Sequence, residues 1–406
     1  MARQQLILLQ LERGLLLFVL FALPLTTAHL LERPFAVSGV ELLEIAYLCL
    51  AGFNRLRGLV AWRWPKDRSV LVGIATLLIV LTYALLFTHP LRSGAGFLIG
   101  RVFLPLLTGL GAYQLLQQGT LKIRQVVGAL FLALVPQIVW GVLQAAHILP
   151  FHDPGRVTAA YRWPDSFGRI VELLLLITLP WIISGRQNRF PKLIVWGLGV
   201  LIMLASLSYG VAYSFVLGLL ASLWLLPRHF RKVQLTASAL VILGAVATLL
   251  LGPKILVWHN GTEASLIIRS QFWRIALSTI GAHLWTGIGL KGWELQYPQL
   301  VQQYGTHLGR ILAGTSEQPQ NFFLDSLLKA GIPGLIAITA FPLLIGRRAY
   351  QSAKQGSWFG YGAFACIVSI FFFGLLDDPL WSDEVMPLLF VLLACLLSIL
   401  NRTDEK

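Results

Sequence analysis

The chain has 406 residues, of which 56% are hydrophobic and only 12% charged, and its formal net charge is +14. Soluble domains carry about a quarter charged residues, so one soluble core is excluded. The basic residues gather in short connectors between long apolar stretches; topology and anionic lipid headgroups account for the surplus, and no nucleic-acid partner is expected.

Roughly 17–25 apolar residues cross the ~30 Å hydrocarbon layer as a helix. About twelve such stretches can be placed, near 12–30, 38–54, 69–88, 95–116, 125–148, 167–185, 192–208, 211–227, 234–252, 322–345, 357–376 and 385–401. The expected fold is an all-α polytopic membrane protein. Transmembrane helices 1–9 occupy residues 1–252, a periplasmic loop or cap 253–321, and helices 10–12 with a cytoplasmic tail 322–406. The first span, after Met1-Ala2-Arg3, is too long for a signal h-region and reads as a retained membrane helix. The pair meeting at Tyr209 reads as two spans or as one broken unit.

Connectors after even-numbered spans hold Arg55, Arg57, Arg63, Lys66 and Arg68, then Lys122 and Arg124, then Arg186, Arg189 and Lys192, then Arg228, Arg231 and Lys232, then Arg347, Arg348 and Lys354. The alternate connectors are poor in base or acidic, as in Leu376-Asp377-Asp378-Pro379. The positive-inside rule then puts both termini in the cytoplasm, the pattern of a polytopic inner-membrane protein. Cys49, Cys366 and Cys395 fall inside spans and match no ligand spacing, so they read as packed thiols.

Two segments on the non-cytoplasmic side exceed minimal loops, 149–166 and 253–321. The second is rich in Trp, Leu and Ile, which argues for a small helical cap over disorder. Within it, Ser265–Ile280 has helical apolar spacing and reads as an amphipathic helix near the bilayer surface. The Thr286-Gly287-Ile288-Gly289 that follows reads as a tight turn, since a lone GxG is weak evidence for phosphate binding. Trp163, Trp181, Trp258, Trp273, Trp285, Trp293 and Trp381 mostly fall near span ends, where interfacial anchoring is the default reading.

The order of Arg156-Val157-Thr158 before a span, a Ser208-Tyr209-Gly210 turn, Arg269 four residues before Trp273, Thr286-Gly287-Ile288-Gly289, and Gln320-Asn321 with Gly331-Ile332-Pro333-Gly334 resembles the O-antigen ligase and polymerase superfamily. The sharpest element runs from Asn321 through nine residues to Gly331 and on to Gly334, and Gly374–Trp381 is similar to the family's acidic loop. The resemblance covers roughly residues 150–390. It implies a GT-C-like bundle with a lateral groove for a polyprenyl lipid. It also implies transfer of a glycan from undecaprenyl pyrophosphate to a lipid A-core or other glycan acceptor at the periplasmic face, with no cofactor and no metal. Membrane lipids are the remaining expected partners.

Such chemistry needs cationic donors on the departing diphosphate and a base near the acceptor hydroxyl. By the resemblance, Arg269 is the first candidate for diphosphate contact, with Arg274 on the same segment. Gln320 stands where the family signature has His and cannot accept a proton at neutral pH, so the family base is not inherited directly. Tyr209 stands where many members have a second Arg and brings one hydrogen bond without charge. Gln320 and Asn321 remain candidates for orienting the acceptor, and Glu317 and His307 for the base, against a reading as solvated loop residues. Arg162 and Arg169 are candidates for the missing cation. Arg169, inside a span, is equally explained by an ion pair with Glu172 three residues on; Arg101 carries the same ambiguity, and Lys329 faces the interior. The alternatives are a non-catalytic member that binds the lipid-linked glycan and organises an assembly complex, and a transporter, which would need inverted repeats that the chain lacks.

Overall fold

The computed structural model describes residues 2–25, 29–31, 37–150, 157–159, 161, 164–185, 188–206, 208–225, 262–305, 318–382 and 384–403. In chain order the helices are α1 (Ala2–Ala22), α2 (Gly39–Leu56), α3 (Arg68–Leu85), α4 (Leu91–Leu98), α5 (Leu104–Gln117), α6 (Ile123–Ala145), α7 (Pro164–Ser184), α8 (Arg189–Ala205) and α9 (Tyr209–Trp224). They continue with α10 (Thr262–Ala282), α11 (Gly292–Tyr304), α12 (Phe322–Lys354), α13 (Trp358–Phe373) and α14 (Val385–Thr403). A short antiparallel strand pair, His29–Leu31 with Val37–Ser38, departs from the all-helical expectation.

Among the described residues, six helical stretches are long and apolar enough to cross a membrane: Gln5–Ala22, Arg68–Leu85, Leu91–Gln117, Ile123–Ala145, Asp165–Ser184 and Phe322–Lys354. Tyr209–Trp224, Trp358–Phe373 and Val385–Asn401 are shorter apolar helices. The protein is thus a multi-pass helical membrane protein, with helices on eleven of the twelve expected stretches; 234–252 lies outside the described residues. Two boundaries differ from expectation. The fourth stretch begins at Leu91, and a π turn over Ile99–Phe103 joins α4 to α5. The tenth runs on to Lys354 past a kink at Ala330–Gly331. Around Tyr209 the chain forms two helices, not one broken unit.

Polar caps and a buried ion pair define the helix ends and the packing. Ser38 and Glu41 form a reciprocal capping box at the start of α2. Asp67 caps α3 and pairs with Arg348 near the end of α12. Glu12 of α1 accepts from Arg55 at 2.8 Å and from Asn54 at 2.7 Å, and Arg55 also donates to Gln114 of α5. α14 is apolar and buried nearly all round, from Val385 to Leu397, the pattern of a helix enclosed by others. It packs against α5, α12 and α13.

α10 and α11 have a small core of their own. Phe272, Ile275, Ala276 and Ile280 meet Trp293, Tyr297, Leu300 and Val301, and Leu328 of α12 completes the cluster. These two helices are therefore seated on the first turns of α12, at the end of the bundle where α7 and α14 also begin.

Candidate functional site

The site is organised by the start of α12. Asn321 caps this helix: its Oδ1 accepts from the Phe323 and Leu324 N–H groups at 3.0 Å each. Its Nδ2 donates to the Leu375 carbonyl at 2.8 Å, and the Phe322 N–H donates to the Gly374 carbonyl at 2.8 Å. Both ends of the Asn321 amide are thus occupied, Oδ1 in capping α12 and Nδ2 in tying it to the loop after α13.

The glycines of the signature have a backbone explanation. Gly331 sits at φ +63° and ψ −154°, a region essentially restricted to glycine, and a Cβ there would lie 2.5 Å from the Leu284 carbonyl oxygen. Gly287, at φ +64°, would meet the Leu328 carbonyl oxygen at 2.5 Å. The closeness lets the two segments exchange hydrogen bonds, Ile288 N–H to Leu328 at 2.7 Å and Ile332 N–H to Leu284 at 2.9 Å. The turn reading of the GxG segment therefore holds: it fastens the cap to the kink of α12. Gly331→Ala should destabilise the protein by about 1–3 kcal/mol from backbone strain alone. A lowered thermal midpoint in detergent checks this, and an unchanged midpoint would remove the seam from the account.

Against this seam, α10 presents Arg269 and Trp273 one turn apart. The Arg269 Nε donates to the Gln320 Oε1 at 3.0 Å, and the Trp273 Nε1 donates to the Gln320 carbonyl at 3.3 Å. Gln320 has φ +50°, unusual for a residue other than glycine, and these two donors grip it on both sides. Arg269 Nη2 lies 4.0 Å from Asp165 Oδ2, with both side chains partly exposed. A pair at that distance consumes little of the guanidinium's charge.

The loop between α13 and α14 supplies the facing carboxyl groups. Asp377 is half-buried, and its Oδ1 accepts from the Asp378 N–H at 2.8 Å. Burial pushes the Asp377 carboxyl above its ordinary pKa and Asp165 adds to the rise, while Arg169, the Asp378 N–H and Arg269 oppose it. The charges of Arg169 and Arg269 therefore favour the ionised form of Asp377. Burial, reinforced by Asp325, pushes Asp378 well above its ordinary range, with Lys329 opposing. The Asp325 carboxyl beside Asp378 favours the state in which Asp378 keeps its proton. Asp325 also pairs with Lys329, whose ammonium lies 5.5 Å from the Phe97 ring centre and 5.7 Å from that of Trp381.

The residues singled out by sequence divide as follows. Arg269, Gln320 and Asn321 come together, with Asn321 committed to the helix cap. Of the two readings left open for Arg169, the ion pair with Glu172 is not formed. Arg169 donates from Nη1 to the Asp378 carbonyl at 3.4 Å and lies 5.8 Å from the Phe373 ring centre, while Glu172 accepts from Ser369. Tyr209 opens α9 beside the same loop, because the adjoining Gly210 faces Phe373 and Leu376. Arg274 is exposed, about 140° around α10 from Arg269 at 100° per residue. Arg101 lies on the π turn, within electrostatic reach of Glu384, Glu41, Glu294 and Glu44, and belongs to a separate charge cluster. Glu317, His307 and Arg162 lie outside the described residues, as do Trp163 and Trp258.

Sequence reasoning missed Asp325, Asp377 and Asp378 as site groups. The available signal was the doubled Asp before Pro379 between apolar spans, since ionisable residues at such a place need partners. Trp293 and Trp381 are buried, at 4% and 3% exposure, which corrects their reading as interfacial anchors. Among the described residues, the buried Arg169 Nε, Tyr161 Oη, Trp381 Nε1 and Asp378 Oδ2 near the loop have no hydrogen-bond partner.

A family model described as O-antigen ligase matches residues 193–339, just over a third of the chain. The match runs from α8 to the middle of α12, so it includes Tyr209, Arg269, Gln320, Asn321, Gly331 and Gly334 and leaves out Arg169 and the Asp377–Asp378 loop. No curated protein matches the chain.

Proposed function

We propose that this multi-pass membrane protein, which carries the O-antigen ligase family segment over residues 193–339, transfers a glycan from undecaprenyl pyrophosphate to an acceptor hydroxyl on lipid A-core or another glycan. The reaction takes place at the periplasmic face of a bacterial inner membrane, with both termini in the cytoplasm. The observation that carries the reading is Arg269, oriented through Nε by Gln320 and only weakly paired to Asp165, at the same end of the bundle as the half-buried Asp377.

In the proposed step, which is inverting and metal-independent, the acceptor oxygen attacks the anomeric carbon opposite the diphosphate. The carbon–oxygen bond to phosphate breaks, and its electron pair leaves with undecaprenyl pyrophosphate. Arg269 and Arg169 stabilise the departing charge, and the acceptor proton passes to the Asp377 carboxylate. Asp377 takes the task that the family assigns to His; Glu317 and His307 are the earlier candidates for it. Gln320 positions Arg269, and Asn321 holds the loop that carries Asp377. Arg169 Nε, Tyr161 Oη and Trp381 Nε1, which have no hydrogen-bond partner among the described residues, are suited to sugar hydroxyls.

A second reading, a non-catalytic member that binds the lipid-linked glycan, is favoured by one observation: Gln320 stands at the His position of the signature. Purified protein in detergent, given undecaprenyl-pyrophosphate-linked glycans and candidate acceptors, separates the two. Product formation supports the enzyme. Donor binding without product across the acceptors supports the second reading.

A further inference from the structure

At the opposite end of the bundle from Arg269, a cavity of about 300 Å³ opens where α5, α6, α13 and α14 meet. Its floor is apolar, formed by buried Leu116, Leu121 and Phe359 with half-buried Ile399 and Trp358. Its rim carries Lys122 and Arg124, both exposed and, among the described residues, without an ion-pair partner, and Ser357.

Two helices begin at this cavity, α6 at Ile123, where the Gln125 Oε1 accepts from the Lys122 N–H at 3.0 Å, and α13 at Trp358, where Ser357 gives the first N–H groups no side-chain cap. Helix starts of this kind carry partial positive charge and free donors, which add to the two cations. The neighbouring connectors are basic as well, with Arg55, Arg57, Arg63, Lys66 and Arg68 before α3 and Arg347, Arg348 and Lys354 towards the end of α12. An inorganic anion would use the rim and leave the apolar floor against water. A phosphate carried on an acyl chain uses both, and the bilayer supplies it beside a bundle of this composition.

We propose that this cavity binds the headgroup of an anionic glycerophospholipid, with the phosphate on Lys122, Arg124 and the α13 N-terminus and the first methylenes on Leu116, Leu121 and Phe359. The lipid is a bound structural partner, distinct from the glycan donor at the other end. It links α13 and α14 where no loop joins them, since their direct connection, through Asp377, is at the site end.

Native mass spectrometry of the full chain, released from nanodiscs of mixed phosphatidylglycerol and phosphatidylcholine, tests this. The wild type should retain phosphatidylglycerol, and the exposed double variant Lys122→Glu/Arg124→Glu should lose at least about tenfold of it, the change expected when a charge-assisted phosphate contact worth ~1.4 kcal/mol or more is removed. A control at the same end of the bundle, Arg347→Glu/Lys354→Glu, should retain it. Equal loss in the control would mean general attraction to the basic surface and would overturn the site. So would unchanged retention in the Lys122/Arg124 variant, or displacement of the lipid by inorganic phosphate at millimolar concentration. The thermal midpoint of the double variant in neutral detergent provides the folding check: with it unchanged, lipid loss is assigned to the cavity.

Discussion

Replacing Asp377 by Asn should lower turnover by about 10²–10⁴-fold, the usual contribution of a general base, and leave donor binding in place. The side chain keeps its shape and its hydrogen bond from the Asp378 N–H, so what is lost is proton acceptance. The pH profile gives a second reading. Burial raises the Asp377 pKa, so the acid limb of kcat/KM should lie above the ordinary carboxylate value of ~3.9, and the variant should lack it. The stability effect has the opposite sign. A carboxyl whose folded pKa is raised favours the folded state fully below its unfolded pKa and loses that contribution as pH rises through the folded pKa. Asp377→Asn should therefore be no less stable than the wild type at neutral pH while being much slower. Adding Gln320→His to that variant should recover part of the rate, because it restores a proton acceptor next to Arg269. Full activity in Asp377→Asn alone would assign the base elsewhere.

Arg269→Ala should lower turnover by about 10²–10³-fold, as expected when one fixed donor to a developing anion is removed, and should also weaken donor binding. Its cost in stability should be modest, about 1–3 kcal/mol from the part-buried hydrogen bond to Gln320, because the 4.0 Å pair with Asp165 is partly exposed and adds only ~0–1 kcal/mol. Arg269→Lys distinguishes charge from geometry. Lysine retains the cation but cannot hold Gln320 through Nε while offering a planar fork to phosphate, so an intermediate rate is expected. Unchanged donor binding and turnover in Arg269→Ala would remove the arginine from the reaction.

Most of the helices were legible because a lipid-facing helix must be apolar over a fixed length, a one-dimensional signal. Arg269 and Gln320 were legible as separate motif residues. Their contact was not, since it depends on the seam between Gly287 and Gly331, where two turns approach closely enough to share backbone hydrogen bonds. Asp325 and Asp378 are brought together by a different long-range tie, the bonds from Asn321 and Phe322 to Leu375 and Gly374. Arg169 illustrates the limit of local reasoning. Helical spacing offers it Glu172, yet Glu172 takes the Ser369 hydroxyl and Arg169 turns to the Asp378 carbonyl. Trp293 and Trp381 misled for the same reason, as proximity to a span end does not reveal which side of the helix or loop is covered.

α14 has almost no surface left for lipid, because α5, α12 and α13 surround it. During synthesis those helices precede it, so an apolar slot must stand open in the bilayer until Val385–Thr403 arrives. Premature termination before Val385 would leave that slot lined by the apolar sides of α5, α12 and α13, available to stray helices and to quality-control proteases. Insertion of α14 then fills that slot. The loop bearing Asp377 and Asp378 is drawn into place by the same event, which couples insertion of α14 to assembly of the site.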